Sequence, residues 1–317
     1  MVYPENFESK IKFDKIRQFV QKNCLSDMGR DLVEAMKFST EPTEIRERLE
    51  ETQEFMSILE EEDQFPGDHF SDARPFLNKV RVEGLFLEVA EMVALKQSLE
   101  SLTAYIDFVR AKAAFSLYIE ATVPAFSERP EMFWYSARHP LLWLSLKNSD
   151  KNIVPLKIEI DETQRIILIS GPNAGGKSVC LQTAGLLQYM FQCGLPVPVS
   201  EASRFGIFKK ILIDMGDEQS IENDLSTYSS HLINMKNFLR YGDENTLILI
   251  DEFGTGTEPM LGGAIAEAIL KTLNQKQVKG VITAHYTNLK HFAAETTGIE
   301  NGAMLYDSHR MLPLFEL

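Results

Sequence analysis

The chain has 317 residues, 44% of them hydrophobic, which is enough for about two domains with a sizeable core. Its formal net charge is −14, with no Lys/Arg cluster beyond "IKFDKIRQFVQK" near the start, which argues mildly against strong DNA binding by this chain alone. The sequence has no run of 18 apolar residues and no signal-like leader, so we expect no membrane span and no secretion. Three cysteines without metal-type spacing indicate a reducing cytoplasm.

The first part of the chain, residues 1–128, is predicted to be a mostly α-helical domain. One apolar series at helical spacing leads into four acids, residues 60–63, that we expect to be a solvated helix end. Its members are Ile45, Leu49, Thr52, Met56 and Leu59. A second series steps by three and four residues and comprises Met92, Leu95, Leu99, Leu102 and Ile106. It predicts a helix that packs on one partner helix, although an ordinary core face would give the same spacing.

The aromatic and proline-containing segment "ERPEMFWYSARHPLLW" ends the helical pattern and marks a domain boundary at residues 128 and 129. From there to residue 317, short apolar runs alternate with amphipathic helices, which is the pattern of an α/β fold. The candidate strands are residues 156–160, 166–170, 211–214, 247–251 and 280–283. The sequence thus predicts an α/β domain over 129–317, preceded by the helical domain over 1–128.

The stretch "LISGPNAGGKSVCLQ" has the spacing of a phosphate-binding loop, with four residues between Gly171 and the run Gly176-Lys177-Ser178. Small residues let backbone N–H groups approach phosphate oxygens, and the helix that follows presents its positive end. Lys177 would reach the β- and γ-phosphates, and the Ser178 hydroxyl would bind Mg²⁺. An ordinary glycine-rich turn is the alternative, but the Lys-Ser pair between a predicted strand and a predicted helix favours the phosphate loop.

A pair of acids follows a later apolar run, in "TLILIDEFGTGTEP". A phosphate loop needs an acid that directs Mg²⁺ from the end of a later strand, so Asp251 is predicted to hold the metal through water. Glu252, one residue further on, is suited to polarise the attacking water. A solvated acidic pair at a strand end is the plainer alternative, and the loop upstream favours the catalytic interpretation.

Two further segments carry polar residues at predicted strand or helix ends. In "VITAHY" an apolar strand is followed by His285, which would hydrogen-bond the γ-phosphate, although a lone histidine is more often structural. In "DMGDEQSIENDLSTYSSHLINMKNFL", Ser226 and Thr227 stand at a helix entrance, where they either cap the helix or face the γ-phosphate of a partner subunit's ATP. Three other histidines are expected to be surface or packing residues: His231, His291 and His309.

Together, four motifs resemble those of the MutS family of ATPases: "GPNAGGKS", "DEQSIENDLSTYSSH", "LILIDEFGTGTEP" and "TAHY". The bacterial paralogous branch, which is implicated in recombination control and branched DNA and carries an endonuclease domain, is the part of the family that the chain resembles most. The segments "DEQSIENDLSTYSSH" and "ARHPLL" are the most characteristic. The resemblance is strong over residues 130–317. It is looser over 1–105, through "IKFDKIRQFV", "EETQEFMSILEEED" and "DARPFLNKVRVEG".

The resemblance implies an ABC-type P-loop ATPase fold that binds ATP and Mg²⁺ and works as a homodimer with two composite sites. The implied catalytic residues are Glu252, Lys177 and His285, and the implied metal ligands are Ser178 and Asp251. The nucleotide-binding residues that the resemblance implies are Gly171, Pro172, Asn173, Ala174, Gly175, Gly176, Lys177, Ser178 and Val179, the trans-acting Ser226, and Ile153 and Val154 against the adenine base.

Family members connect the helical region to the ATPase through long lever helices that end in a DNA clamp. Here only about 20 residues separate Ile106 from the boundary segment. The resemblance therefore implies that the lever and clamp are missing, with a join near residues 106 and 107. Dimer-locking helices and the branch's nuclease domain are likewise not expected after "MLPLFEL". Double-stranded or branched DNA would be held through those missing segments.

The expected function is an ATP-gated, ATP-hydrolysing dimer that acts in DNA repair or recombination on mismatched or branched DNA. The main alternative is a nucleotide-gated binding module with little turnover, because the dimer-locking and clamp parts are absent. A transporter ATPase subunit ranks lower, since "LSTYSSH" lacks a Leu-Ser-Gly-Gly-Gln-type signature. A dinucleotide-binding oxidoreductase fits poorly, since the only G-x-G, at residues 254–256, lacks the third glycine.

Overall fold

A computed structural model of the chain describes residues 1–61, 74–82, 85–101, 104–147, 153–171, 176–216, 224–255, 258–304, 306–307 and 312–313. The helices are α1 (Phe7–Lys10), α2 (Phe13–Lys22), α3 (Asp27–Glu34), α4 (Pro42–Glu61), α5 (Arg74–Val80), α6 (Val89–Ser101), α7 (Ala104–Tyr118), α8 (Pro140–Lys147), α9 (Lys177–Gln192), α10 (Asp224–Tyr241), α11 (Pro259–Gln275) and α12 (Thr287–Glu295). The strands are β1 (Val2–Tyr3), β2 (Ala125–Ser127), β3 (Met132–Ala137), β4 (Leu156–Ile160), β5 (Ile166–Ser170), β6 (Arg204–Gly206), β7 (Lys210–Asp214), β8 (Thr246–Ile250), β9 (Lys279–Thr283), β10 (Ile299–Ala303), β11 (Tyr306–Asp307) and β12 (Leu312–Pro313).

The main sheet has six strands in the order β1-β7-β8-β9-β5-β10, and every neighbouring pair is parallel. Every residue of β5, β8 and β9 is buried, which agrees with the apolar runs of β5 and β8, while β9 also buries Lys279 and Thr283 at its ends. The predicted α/β fold is therefore confirmed. The predicted ranges match β4 and β5 and differ by one residue at the ends of β7, β8 and β9.

A smaller mixed sheet, β2-β6-β3-β4, lies beside the main one. Strand β3 pairs antiparallel with both β4 and β6. Its Trp134 is fully buried and stacks on Phe205 of β6, with 4.3 Å between ring centroids. The segment that begins at Ile153 leads into β4 of this sheet. Residues of this segment line a cavity together with residues of β3 and α8.

The N-terminal helices cover one face of the main sheet rather than standing apart from it. Tyr189 of α9 packs its ring against the rings of Phe7, Phe13 and Phe38, with centroids 5.2, 4.7 and 5.4 Å away. Strand β1 extends the sheet by pairing with β7. Helices α10, α11 and α12 cover the opposite face through a second apolar cluster. The division at residues 128 and 129 remains a prediction about the chain, and these two parts share one core.

The predicted apolar seam over residues 92–106 is divided between α6 and α7. Met92 is 57% exposed, so the expected packing is wrong at this position. Ile106, on α7, does pack beside Phe55 of α4. The side chains of Leu99 and Leu102 lie outside the described residues. The acids at residues 60 and 61 are exposed as expected, while residues 62 and 63 also lie outside the described ranges. No helix within the described ranges is long and apolar enough to cross a bilayer.

Candidate functional site

The candidate site lies where four parallel strands end side by side. Strands β7, β8, β9 and β5 are neighbours and run in the same direction, so the residues that follow them meet at one edge of the sheet. Ligands of open parallel sheets bind outside this carboxyl edge. The strands deliver Asp214, Asp251, His285 and Gly171 to it, in that spatial order.

The predicted phosphate loop connects β5 to α9. Gly171 has φ +133° and Gly176 has φ +92°, backbone conformations that residues other than glycine rarely adopt. A Cβ at Gly171 would also stand 3.2 Å from the Cβ of Met304. Gly176 is the N-cap of α9, so the 16-residue helix presents its unpaired N–H groups at the loop. Residues 172–175, which include the predicted contacts Pro172, Asn173, Ala174 and Gly175, lie outside the described residues.

Lys177 is buried and turned back along the loop. Its Nζ donates a hydrogen bond to the carbonyl oxygen of Gly171 at 2.5 Å and lies 3.3 Å from Nε2 of His285. Burial lowers the pKa of Lys177, against the opposing influence of the nearby Asp251 and Glu252 carboxylates. The structure thus places Lys177 and His285 in direct reach of each other. Ser178 and Val179, in the first turn of α9, are exposed at the same edge; the structure describes both residues.

The two predicted acids are fixed by Thr283, a residue outside the predicted site. The Thr283 hydroxyl, at the end of β9, donates to Oδ1 of Asp251 at 2.5 Å and accepts the backbone N–H of Glu252 at 2.8 Å. Glu252 has φ +51°, a strained conformation for a residue with a side chain, and its side chain is exposed. A hydroxyl residue that ends the strand beside the acids was the available sequence signal.

A buried carboxylate, Asp214, lies at the end of β7 and was also missed. Its Oδ2 is 2.6 Å from Nδ1 of His231, and its Oδ1 accepts a hydrogen bond from Asn234 at 2.7 Å. The expectation that His231 is an ordinary surface or packing residue is therefore wrong, because its ring is paired at the edge of the site. Nothing local in the sequence relates two residues that are 17 positions apart.

Ser226, the predicted trans-acting serine, belongs to the first turn of α10. Its side chain and that of Thr227 lie outside the described residues. The structure accordingly locates the start of the helix on this chain but gives no contact for either hydroxyl. The role of Ser226 remains a prediction.

The predicted base contacts, Ile153 and Val154, line a cavity of about 450 Å³. The cavity lies against the start of α9, through Gly176 and Val179, and its other wall includes the buried His139. Its volume and mostly apolar lining are those of a small-molecule site. The arrangement puts an apolar space beside the loop, where a base attached to the phosphates could be accommodated.

Comparison with known proteins defines the class. Residues 167–315, which contain the loop, the acid pair and His285, match the family described as MutS domain V. The chain belongs to the MutS family, and the matched region is that family's ATPase domain.

Relatives that the chain matches include several proteins called Endonuclease MutS2. The chain is 41% identical to the Lactococcus lactis MG1363 protein over 216 residues, which are 68% of this chain and 27% of that protein. It is 40% identical to the Alkaliphilus metalliredigens protein over 243 residues, covering 75% and 30%. It is 38% identical to the Geobacillus thermodenitrificans protein over 244 residues, also 75% and 30%. The predicted branch of the family is confirmed, and the chain spans about 30% of the length of these relatives.

Proposed function

We propose that this chain is an ABC-type P-loop ATPase that binds ATP with Mg²⁺ and hydrolyses it to ADP and phosphate. The observation that carries the proposal is the meeting of three motifs at one edge of the sheet. Lys177 lies 3.3 Å from His285. The Asp251-Glu252 pair is held by Thr283 at the end of β9, the strand that lies between β8 and β5. The match to the MutS ATPase domain supports the same conclusion.

The residues at the loop fit a polyphosphate. Lys177 is a buried ammonium at the start of a helix, and its Nζ lies within hydrogen-bonding distance of the Gly171 carbonyl and the His285 ring. A phosphate oxygen would stabilise this charge better than the Gly171 carbonyl does, and the N–H groups at the start of α9 favour the same anion. Lys177 would therefore move from Gly171 to the β- and γ-phosphates, with His285 beside the γ-phosphate.

The residues also fit a magnesium ion, which prefers oxygen ligands. The Ser178 hydroxyl is exposed in the first turn of α9, and the Asp251 carboxylate follows β8. Thr283 and the N–H of Glu252 both bind Oδ1 of Asp251, which leaves Oδ2 for the metal or its water. When bound, Mg²⁺ would neutralise charge on the transferring phosphoryl group.

Glu252 would orient the attacking water. Its carboxylate is exposed beside the loop, and its backbone is fixed by the hydrogen bond to Thr283. Water would donate a hydrogen bond to this carboxylate, attack the γ-phosphorus in line and pass its proton to the acid, while the bond from that phosphorus to the bridging oxygen breaks and ADP leaves. Lys177 and the backbone N–H groups would stabilise the charge that develops, so catalysis would be mainly electrostatic.

We further propose that the adenine base occupies the cavity lined by Ile153 and Val154, and that two chains pair so that Ser226 of each reaches the ATP of the other. The ATPase would serve DNA repair or recombination on mismatched or branched DNA, a role that the match to the MutS family supports. A cytoplasmic setting is supported by Cys24, Cys180 and Cys193, which are all free and buried. The alternative, a nucleotide-gated binding module with little turnover, predicts the same binding without the catalysis.

Steady-state ATP turnover per chain, measured over a wide range of protein concentration, tests the proposal. We expect turnover per chain to rise with concentration, because each composite site needs two chains. Glu252→Gln should retain ATP binding and lose at least about 100-fold in turnover, as expected for loss of the water-orienting group.

Glu300→Gln is the matched control, because Glu300 is an exposed acid on β10 that lies away from the loop. It should behave like the unaltered chain. Flat turnover near background with ATP binding retained would support the binding-module alternative. Absence of ATP binding would contradict both.

A further inference from the structure

Asp214 connects helix α10 to the strand end that bears the acids. The residue is only 4% exposed, and both of its carboxylate oxygens are used by α10, one by His231 and one by Asn234. Its backbone carbonyl accepts the N–H of Asp251 at 2.8 Å. One residue therefore touches the helix and the acidic segment at once.

The contact continues along one face of α10. Asn234 accepts a hydrogen bond from the Tyr3 hydroxyl at 2.7 Å, and Asn237 donates to the same hydroxyl at 2.8 Å. His231, Asn234 and Asn237 are three residues apart, a spacing that puts them on the same side of a helix. The helix is thus held on β7 and β1 by these polar contacts, and the contact made by His231 involves a titratable side chain.

His231 and Glu252 both line a cavity of about 30 Å³, whose other walls include Leu232 and Met235 of α10. A space of this size holds about one water molecule. Since Nδ1 of His231 is occupied by Asp214, Nε2 is the ring nitrogen left for the cavity. Among the described residues, no hydrogen bond fixes the Glu252 carboxylate, although its backbone is held in a strained conformation.

The charges around His231 favour its protonated form. Its pKa is raised, mainly by the hydrogen bond with Asp214 and further by the charges of Asp214 and Glu252. Burial and the nearby Lys10 of α1 oppose this. An imidazolium in this position attracts the carboxylate across the cavity.

We infer that His231, oriented by Asp214, is a positioning residue for ATP hydrolysis, holding the Glu252 side chain and its water through the small cavity between them. The inference rests on the proposed ATPase function, and it assigns no bond-breaking step to His231. Its effect would appear in the rate of the chemical step rather than in ATP affinity, because neither His231 nor Asp214 touches the predicted phosphate loop among the described contacts.

The test compares kcat, KM and their pH dependence in His231→Leu, His231→Gln and Asn237→Ala. We expect His231→Leu to lower kcat at least about tenfold with KM for ATP within about twofold. His231→Gln keeps a donor for Asp214 but no titratable charge, so it should recover part of kcat. In the unaltered chain kcat should fall as pH rises through the His231 pKa, above 6.5, and this limb should be missing in His231→Gln.

Asn237→Ala loosens the same helix without touching the cavity, and its kcat should stay within about twofold of the unaltered chain. If His231→Leu unfolds before it can be assayed, the pH profile of His231→Gln decides. An active chain whose His231→Gln variant keeps the alkaline limb, or whose His231→Leu variant keeps its kcat, would overturn this inference alone. An unaltered chain that binds ATP without turnover would overturn the proposed catalysis and this inference with it.

Discussion

At the residue scale, a single hydroxyl group, that of Thr283, is predicted to have a large effect on ATP hydrolysis. Its hydroxyl holds Asp251 Oδ1 and the N–H of Glu252, so Thr283→Val keeps the shape and removes both bonds. We expect kcat for ATP hydrolysis to fall about 10- to 100-fold, because loss of the hydroxyl would displace both acids. ATP binding should change little, since the lysine and loop remain. Isothermal titration and steady-state kinetics on the same preparation separate the two effects.

Thr272→Val is the control for that substitution. The Thr272 hydroxyl donates to the carbonyl of Ala268 within α11, on an exposed surface away from the acids. It should leave kcat unchanged. Equal loss of activity in the two variants would show that Thr283 has no special relation to the acids.

The residue scale is also where the sequence is least informative about the site. The loop, the acid pair and His285 have fixed local spacings, so they can be recognised along the chain. The pairing of Asp214 with His231 depends on how α10 returns across β7, and no local pattern records that path. Thr283 belongs to the segment "VITAHY", but its contact with the acids depends on strand β8 lying beside β9.

At the scale of elements, helix α8 begins at an unusual cap. Nδ1 of His139 accepts the backbone N–H of Leu142 at 3.3 Å, and no described partner contacts its buried Nε2. Burial, with a smaller contribution from Lys12, lowers the pKa of His139 to about 4. The unfolded chain, with a histidine pKa near 6.5, therefore binds a proton before the folded chain does. The contribution of His139 to the free energy of unfolding is therefore fully present above about pH 6.5 and is lost as the pH falls toward 4.

This predicts an acid-sensitive free energy of unfolding. Between pH 7 and pH 5, His139 should remove about 2 kcal/mol, from about 1.4 kcal/mol per pH unit over most of that interval. His139→Asn keeps a cap acceptor without a titrating group and should lack this loss, which urea unfolding at the two pH values would measure. His291→Asn, at an exposed position on α12, is the control and should keep the full loss. Equal acid sensitivity in His139→Asn and the unaltered chain would contradict the assignment.

Elements differ in how well their sequences predicted them, and the reason is burial. Strands β5 and β8 are buried on both faces, so their apolar runs identify them directly. Strand β10, with the sequence "IENGA", is an edge strand with one buried residue and was not predicted. Strand β1 has only two residues and exists because β7 offers it a parallel edge. Such strands are set by tertiary pairing rather than by their own side chains.

At the scale of the whole molecule, the sharing of one core decides how the chain can be divided. The sequence predicted separate helical and ATPase domains from a change of pattern at residues 128 and 129. In the structure, Phe7, Ile11 and Phe13 are fully or almost fully buried in the same apolar cluster as Leu187 and other residues of α9. A change of pattern shows where one kind of element gives way to another, but it does not show which surfaces they bury.

We therefore expect residues 129–317, expressed alone, to fail to fold, because the face of α9 on which Phe7, Phe13 and Phe38 cover Tyr189 would lie open. Within the full chain, Phe13→Ala should cost about 3 to 5 kcal/mol, as for a fully buried aromatic residue. Leu25→Ala, at a 42% exposed position, is the control and should cost less than about 1 kcal/mol. Denaturant unfolding followed by circular dichroism measures both. An isolated 129–317 fragment that unfolds cooperatively and binds ATP would show instead that the helices only rest on a core that is complete without them.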